Sequence, residues 1–226
     1  MPHINLSFAA CGFLGVYHLG AASALCKHGR KLLKDVKAFA GASAGSLVAS
    51  VLLTAPQKIE ECNKFTYDFA EEIRRQSFGA LTPSYDFMAR LRSGVESILP
   101  ANAHELAHDR LHVSITNTRT GRNCLVCLFP SREHLIQVLL ASSFLPIYAG
   151  MEPVEYEGQR QKLATGLRRR RLMLHGKFCE ASEGGSALEL VNFNTLKPKQ
   201  SVGASLGSFL MLHLQVFSLA AVQIPA

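Results

Sequence analysis

Apolar residues occupy alternate positions at the start of the chain. Ile4, Leu6 and Phe8 fall on every second position of residues 3–10, which predicts a strand with one buried face. A glycine-spaced turn follows, Cys11-Gly12-Phe13-Leu14-Gly15, and then a helix of small residues over 16–27. The pattern repeats. A short apolar strand at 37–40 runs into Gly41-Ala42-Ser43-Ala44-Gly45, and a helix over 46–53 continues from it. Strand, turn and helix twice in succession predict an α/β layered fold. The period then changes. Ile59, Cys62, Phe65, Phe69 and Ile73 recur at steps of three and four between charges, which predicts an amphipathic helix over 57–76. A further helix is expected over 85–98 and another over 133–142, ending before Pro146. Residues 111–117 and 123–129 read as two strands joined across Thr118-Arg119-Thr120-Gly121.

The pattern weakens near residue 159, and the charge shifts with it. Residues 1–159 hold 15 Lys and Arg against 14 Asp and Glu, whereas residues 160–226 hold 9 against 3, so +6 of the net +7 belongs to the last 67 residues. The basic character therefore describes a tail and not the front domain. Such a segment can meet anionic lipid or nucleic acid, but Arg168-Arg169-Arg170-Arg171 reads as a solvated stretch and no nucleic-acid partner is expected. Residues 202–226 are apolar and are long enough to span a bilayer, which needs about 20 residues. His213 and Gln215 near the centre count against a span. A membrane span, a packed helix and a disordered tail all stay open for this stretch.

Six cysteines at irregular spacing do not form a disulfide framework in a chain of 226 residues. Cys124-x-x-Cys127 lacks a second pair and sits in an apolar strand, so no metal is expected there. The N-terminal residues carry neither a basic region nor a long apolar one, and a reducing cytoplasmic setting is expected.

The candidate chemistry sits at Ser43. Gly-x-Ser-x-Gly alone is a modest signal, and Gly203-Ala204-Ser205-Leu206-Gly207 matches it too. Context separates the two. A nucleophile elbow is a sharp turn between a buried strand and a helix, where the crowded backbones require small neighbours. Ser43 has the strand before it, the helix after it, and Gly41, Ala42, Ala44 and Gly45 around it, whereas Ser205 has neither flank. Acyl transfer also needs donors for the oxyanion. The turn after the first strand can supply backbone N–H groups at Gly12, Phe13 and Gly15, because it opens a helix N-terminus. A dinucleotide site is the rival reading of this turn. It would put glycine where Ala10 stands and an acidic residue at the end of the second strand, where Gly41-Ala42-Ser43 stands instead. No cofactor is expected. His18 lies close to the turn in sequence and reads as a helix-packed residue. His104, His108, His112 and His134 form no ligand or triad pattern.

Residues 1–159 resemble the patatin-like phospholipase family. The resemblance rests on Asn5-Leu6-Ser7-Phe8 through Gly15, on Tyr17-His18-Leu19-Gly20-Ala21, on Phe39 through Leu47, on Arg74-Arg75-Gln76-Ser77-Phe78-Gly79 and on Ala141-Ser142-Ser143-Phe144-Leu145-Pro146-Ile147-Tyr148. It implies a three-layer α/β/α sandwich, incomplete at its C-terminal end, with residues 160–226 as a divergent tail. It also implies a serine–aspartate dyad acting on neutral lipid esters, such as triacylglycerol or retinyl ester, with acyl transfer as a related activity. The implied partner is a neutral lipid or a lipid-droplet or membrane surface. The implied location is cytoplasmic, on lipid droplets or intracellular membranes, with the mitochondrion as an alternative. The family's dyad Asp precedes paired small residues after the Ala141–Pro146 landmark. Here the four Asp residues, Asp35, Asp68, Asp86 and Asp109, all precede it and none is followed by Gly. Glu183, before Gly184-Gly185, is the one candidate substitute base. Without it, the expected alternative is a catalytically inactive lipid- or partner-binding protein.

Overall fold

The computed structural model describes residues 4–117, 123–146 and 148–150, together with the backbone of 154–156, 159–164 and 220–223. The first strand, β1 (Ile4–Phe8), leads through a 3₁₀ turn at Gly12–Leu14 into α1 (Gly15–His28). A short helix, α2 (Arg30–Asp35), precedes β2 (Val36–Ala42), which turns at Ser43 into α3 (Ala44–Thr54). The long amphipathic helix α4 (Ile59–Arg75) follows, then α5 (Phe87–Ile98), α6 (Ala103–Ala107), β3 (Leu111–Asn117), β4 (Asn123–Val126) and α7 (Arg132–Ser143). Three strands complete the description: β5 (Val154–Tyr156), β6 (Gln159–Ala164) and β7 (Ala220–Gln223).

The sheet runs β5-β6-β3-β2-β1-β7, with β4 paired to β3 off that path. Its centre is parallel: Leu6 pairs with Phe39 and Phe39 with Leu111, while Phe8 pairs with Gly41 and Gly41 with Val113. β7 and β6 join it antiparallel. This is the mixed sheet with flanking helices that the α/β reading anticipates. One face presents Leu6, Phe8, Phe39, Leu111, Val113 and Ile115, all at most 3% exposed. Burying such branched and aromatic side chains stabilises the fold by about 1.5–3 kcal/mol each. The described helices join one another over this face: α3 against β1, β2 and β3, α7 against β3 and α3, and α1 against α3 and α4. The alternate positions Ser7, Ala38, Ala40, His112 and Ser114 are only partly buried.

Local chemistry explains where the helices begin. The Asp86 carboxylate accepts the Ala89 N–H at 2.8 Å and the Ser131 hydroxyl accepts the His134 N–H at 3.1 Å, each satisfying a free donor of a first turn. α2 and α6, of six and five residues, are absent from the periodicity reading because neither is long enough to show a repeat. The strand expected over 123–129 stops at Val126. Of the apolar stretch 202–226, only Ala220–Gln223 is described, and it is an edge strand against β1, not a helix. The rest of that stretch, Ser205 included, lies outside the described residues, as does Glu183 before it. No described helix is long and apolar enough to cross a membrane.

Candidate active site

Two turns lie side by side at the C-terminal ends of β1 and β2. The second carries Ser43 at φ 52°, ψ −129°, a backbone conformation that an L-residue adopts only under constraint. β2 ends at Ala42 and α3 starts at Ala44, so the chain reverses direction at this single residue. The glycines on either side are required by space. A Cβ on Gly41 would stand 2.5 Å from the Cα and the N of Ser46. A Cβ on Gly45 would stand 2.2 Å from the carbonyl oxygen of Phe8 and 2.5 Å from that of Ala9. The elbow thus presses directly on the end of β1, and Gly15 faces it with room for a Cβ 3.5 Å from that of Ala44.

The elbow is fastened by hydroxyl groups. The Ser46 Oγ donates to the Ser43 carbonyl at 2.7 Å, and the Ser46 N–H donates to the same oxygen at 2.9 Å. The Ser43 N–H donates to the Ser142 Oγ at 2.8 Å. No described side chain hydrogen-bonds the Ser43 Oγ, and Ser43 is 9% exposed, so the hydroxyl sits low in the surface instead of standing proud of it.

The first turn supplies donors. Gly12 takes φ +54°, which glycine tolerates without strain. The N–H groups of Gly12 and Phe13 open the 3₁₀ turn and have no acceptor among the described residues, as is usual at a helix start. The Gly15 N–H is directed back at the Gly12 and Phe13 carbonyls, so among the three expected donors it is already engaged. The Ala44 N–H, first in α3 and next to Ser43, likewise has no acceptor among the described residues. His18 is buried in α1 and its Nε2 bonds the Ala9 carbonyl at 3.1 Å, holding the end of β1 where the turn begins. Burial lowers its pKa below the ordinary 6.5, against the opposing effect of that bond, so it is a neutral donor and a structural one. The Cys11 thiol is pushed up to about 12 by burial and is no nucleophile at neutral pH.

Phe13 also begins a run of rings that spacing alone did not reveal. It meets Phe69 edge-on at 5.4 Å, Phe69 meets Phe87 at 5.0 Å, and Phe87 meets Tyr148 at 5.5 Å. Phe69 lies in the core at 3% exposure, and the partly buried Phe13, Phe87 and Tyr148 pack against that core. Phe69 was legible as core from the period of α4, but Phe87 and Tyr148 come from distant segments.

The carboxylates lie elsewhere. Asp35 and Asp109 precede β2 and β3, at the opposite ends of those strands from Ser43. Asp86 caps α5, and Asp68 lines a cavity of about 330 Å³ with Glu71, Glu72, Arg75 and Gln76 that includes neither glycine turn. Cys124 and Cys127 are free thiols, and no described group of His, Cys, Asp and Glu is arranged for a metal.

The sequence profile of patatin-like phospholipase matches residues 6–179, past residue 159 where the resemblance was expected to stop. Human patatin-like phospholipase domain-containing protein 4 is 81% identical over 160 residues, covering 71% of this chain and 63% of that protein. Human patatin-like phospholipase domain-containing protein 2 is 40% identical over 156 residues, 69% of this chain and 31% of that one. Human 1-acylglycerol-3-phosphate O-acyltransferase PNPLA3 is 38% identical over 157 residues, 69% and 32%. The chain thus spans under two thirds of the length of each. With the glycine turn, the strained serine and a profile match over more than half its length, the chain belongs to the patatin-like phospholipase family.

Proposed function

We propose that this protein is a serine acyl hydrolase acting on neutral lipid esters, with Ser43 as nucleophile. The observation that carries the reading is the backbone of Ser43, φ 52° and ψ −129°, held between β2 and α3 by two glycines and two hydroxyls. A serine kept in such a conformation is a marker of function, since the strain persists only where its surroundings impose it. In the proposed reaction the Ser43 Oγ attacks the ester carbonyl carbon. Its proton passes to a base, and the tetrahedral oxyanion takes hydrogen bonds from the Gly12, Phe13 and Ala44 N–H groups. The alcohol leaves with a proton, and water then releases the fatty acid; an acylglycerol in place of water would give acyl transfer, the activity named for one relative. Triacylglycerol and retinyl ester are the substrates proposed, and the partly buried rings of Phe13, Phe87 and Tyr148 are proposed to receive the acyl chain. The place of action proposed is a lipid droplet or intracellular membrane, with the mitochondrion as the alternative. Exposed Tyr17, Phe78 and Leu81 supply apolar contact for such a surface.

A second reading is a lipid- or partner-binding protein without turnover. It is favoured by the unpaired Ser43 Oγ, for which the described residues offer no base; Glu183 is the substitute proposed. A general base commonly contributes 10²–10⁴-fold in rate. Intact-mass analysis after fluorophosphonate treatment, with Ser43→Ala as control, tests the nucleophile. One phosphonyl adduct, absent from the control, supports the first reading. Protein that melts cooperatively and takes no adduct overturns it in favour of the second.

A further inference from the structure

We infer that Ser142 is a positioning residue for Ser43, its hydroxyl wedged into the ladder between β2 and β3 to hold the elbow open. This rests on the reading of Ser43 as nucleophile and names a part of its machinery. In the parallel ladder, the Phe39 N–H donates to the Arg110 carbonyl at 2.7 Å, with Phe39 paired to Leu111. Two such steps along, with Gly41 paired to Val113, the same rule sends the Ser43 N–H to the Ser114 carbonyl. That bond is not made. The Ser142 Oγ stands in its place, accepting the Ser43 N–H at 2.8 Å and donating to the Ser114 carbonyl at 2.8 Å.

The geometry gives the wedge its effect. Two bonds of this length meeting at a hydroxyl hold the end atoms roughly 4–5 Å apart, where a direct ladder bond would draw them to about 2.9 Å. Anchoring the Ser43 N–H fixes the peptide plane from which Ser43 projects, so the inserted hydroxyl helps to place the Oγ. Ser142 is 1% exposed, so water has little access to replace it. Its carrier is the last turn of α7, which anchors the hydroxyl through Leu135, Val138 and Leu139, each at 0% exposure.

The test compares Ser142→Thr, which keeps a hydroxyl, with Ser142→Val, which has the same shape without one. Ser143→Ala is the control: the adjacent Ser143 Oγ is bonded only within its helix, to the Leu139 carbonyl at 2.9 Å. The rate of fluorophosphonate labelling at Ser43 should fall by roughly tenfold to a hundredfold in the Val variant, the cost of an ångström-scale misplacement. It should stay within a few-fold of wild type in the Thr and Ser143→Ala proteins. The backbone amide resonance of Ser43, read by NMR in the unlabelled protein, should shift in the Val variant and stay in place in the other two. If the β-branched variants fail to fold, Ser142→Ala against Ser143→Ala carries the same comparison. In protein that labels, equal rates for a hydroxyl-free variant and its control overturn the inference, and an unmoved Ser43 resonance overturns it in any case. Wild-type protein that never labels but whose Ser43 resonance responds to Ser142 as described overturns the hydrolase reading alone and leaves the wedge standing.

Discussion

Two glycines in helices, exposed Gly20 in α1 and Gly45 in α3, should respond in opposite directions to alanine. In an isolated helix both changes favour the folded state by about 1 kcal/mol, because alanine is the better helix former. At Gly20 nothing lies within 4 Å of the added Cβ, so the gain is realised in full. At Gly45 the added carbon lands 2.2 Å from the Phe8 carbonyl oxygen, 2.5 Å from that of Ala9 and 2.6 Å from the Phe8 carbonyl carbon. Ordinary contact begins near 3.4 Å, so β1 and α3 must separate by about 1 Å. All three obstacles are backbone, and β1 is clamped on both sides by β2 and β7, so no side-chain rotation relieves them. Overpacking of this kind costs about 1–3 kcal/mol, and here the rigidity of the strand puts it toward the upper end. After the helix gain is subtracted, Gly45→Ala should lose about 1–2 kcal/mol, while Gly20→Ala should gain up to about 1 kcal/mol. In a chain of this length each kcal/mol moves Tm by roughly 2–4 °C, so the two variants should lie on opposite sides of wild type by differential scanning calorimetry. The separation also moves the Gly12–Phe13 donors relative to Ser43, so fluorophosphonate labelling should fall by roughly a hundredfold in Gly45→Ala and stay unchanged in Gly20→Ala. A Gly45→Ala protein that melts at or above wild type would falsify the contact between the elbow and β1.

Ser43→Gly should raise Tm while abolishing the adduct, because glycine accepts φ 52° at no cost and the present strain is worth about 1–3 kcal/mol; a lower Tm would mean that the backbone is unstrained. Gly94→Ala should destabilise by about 1–3 kcal/mol by denaturant titration, since the added Cβ would stand 2.1 Å from the Phe65 ring, which Arg90 already covers at 4.8 Å. Asp86→Ala should lose about 1 kcal/mol, the cap of α5, with no change in labelling rate. Stability should also fall as pH drops below about 6.5. His18 and His112 both have folded pKa values lowered by burial, so the unfolded chain binds the more protons in that window, and stability is fully present only above the unfolded value. His18→Gln should flatten this slope in Tm measured between pH 5 and 7.5, and an unaltered slope would remove His18 from the cause.

The front half of the fold was legible because its elements are short, regular and locally encoded. Alternation at Ile4, Leu6 and Phe8 gave β1, and the three- and four-residue steps from Ile59 to Ile73 gave α4 within two residues at each end. Ser43 was legible for the same reason: the small residues around it are a local record of crowding, which the contacts of Gly41 and Gly45 make explicit. Ser142 was not. It stood in a quoted landmark, yet its partners are 99 and 28 residues away, and nothing in the spacing of Ala141-Ser142-Ser143 distinguishes the hydroxyl that meets Ser43 from the one that turns back on its own helix. The engaged Gly15 N–H was likewise invisible, because the direction of a backbone donor depends on the conformation of the whole turn and not on residue type.

The described residues separate two requirements that a working serine hydrolase must meet together. Strain at Ser43 and open donors at Gly12, Phe13 and Ala44 are built by β1, β2 and α3 with the Ser142 hydroxyl of α7, and none of those contacts involves a carboxylate. The geometry at Ser43 is therefore held by packing and by hydroxyls. Proton transfer is a separate matter, since Asp86 is committed to a helix cap and Asp35 and Asp109 stand at the far ends of their strands. The two halves have different signatures. An elbow without a base labels slowly with a fluorophosphonate and turns over ester more slowly still, because labelling needs the Ser43 proton removed once, whereas turnover also needs a proton removed from the attacking water. Adduct formation and steady-state hydrolysis are thus complementary measurements on this protein, and Glu183→Gln should lower both, the second by the larger factor, if that residue supplies the base. Equal loss of both in a protein that still melts cooperatively would instead tie residue 183 to the elbow itself.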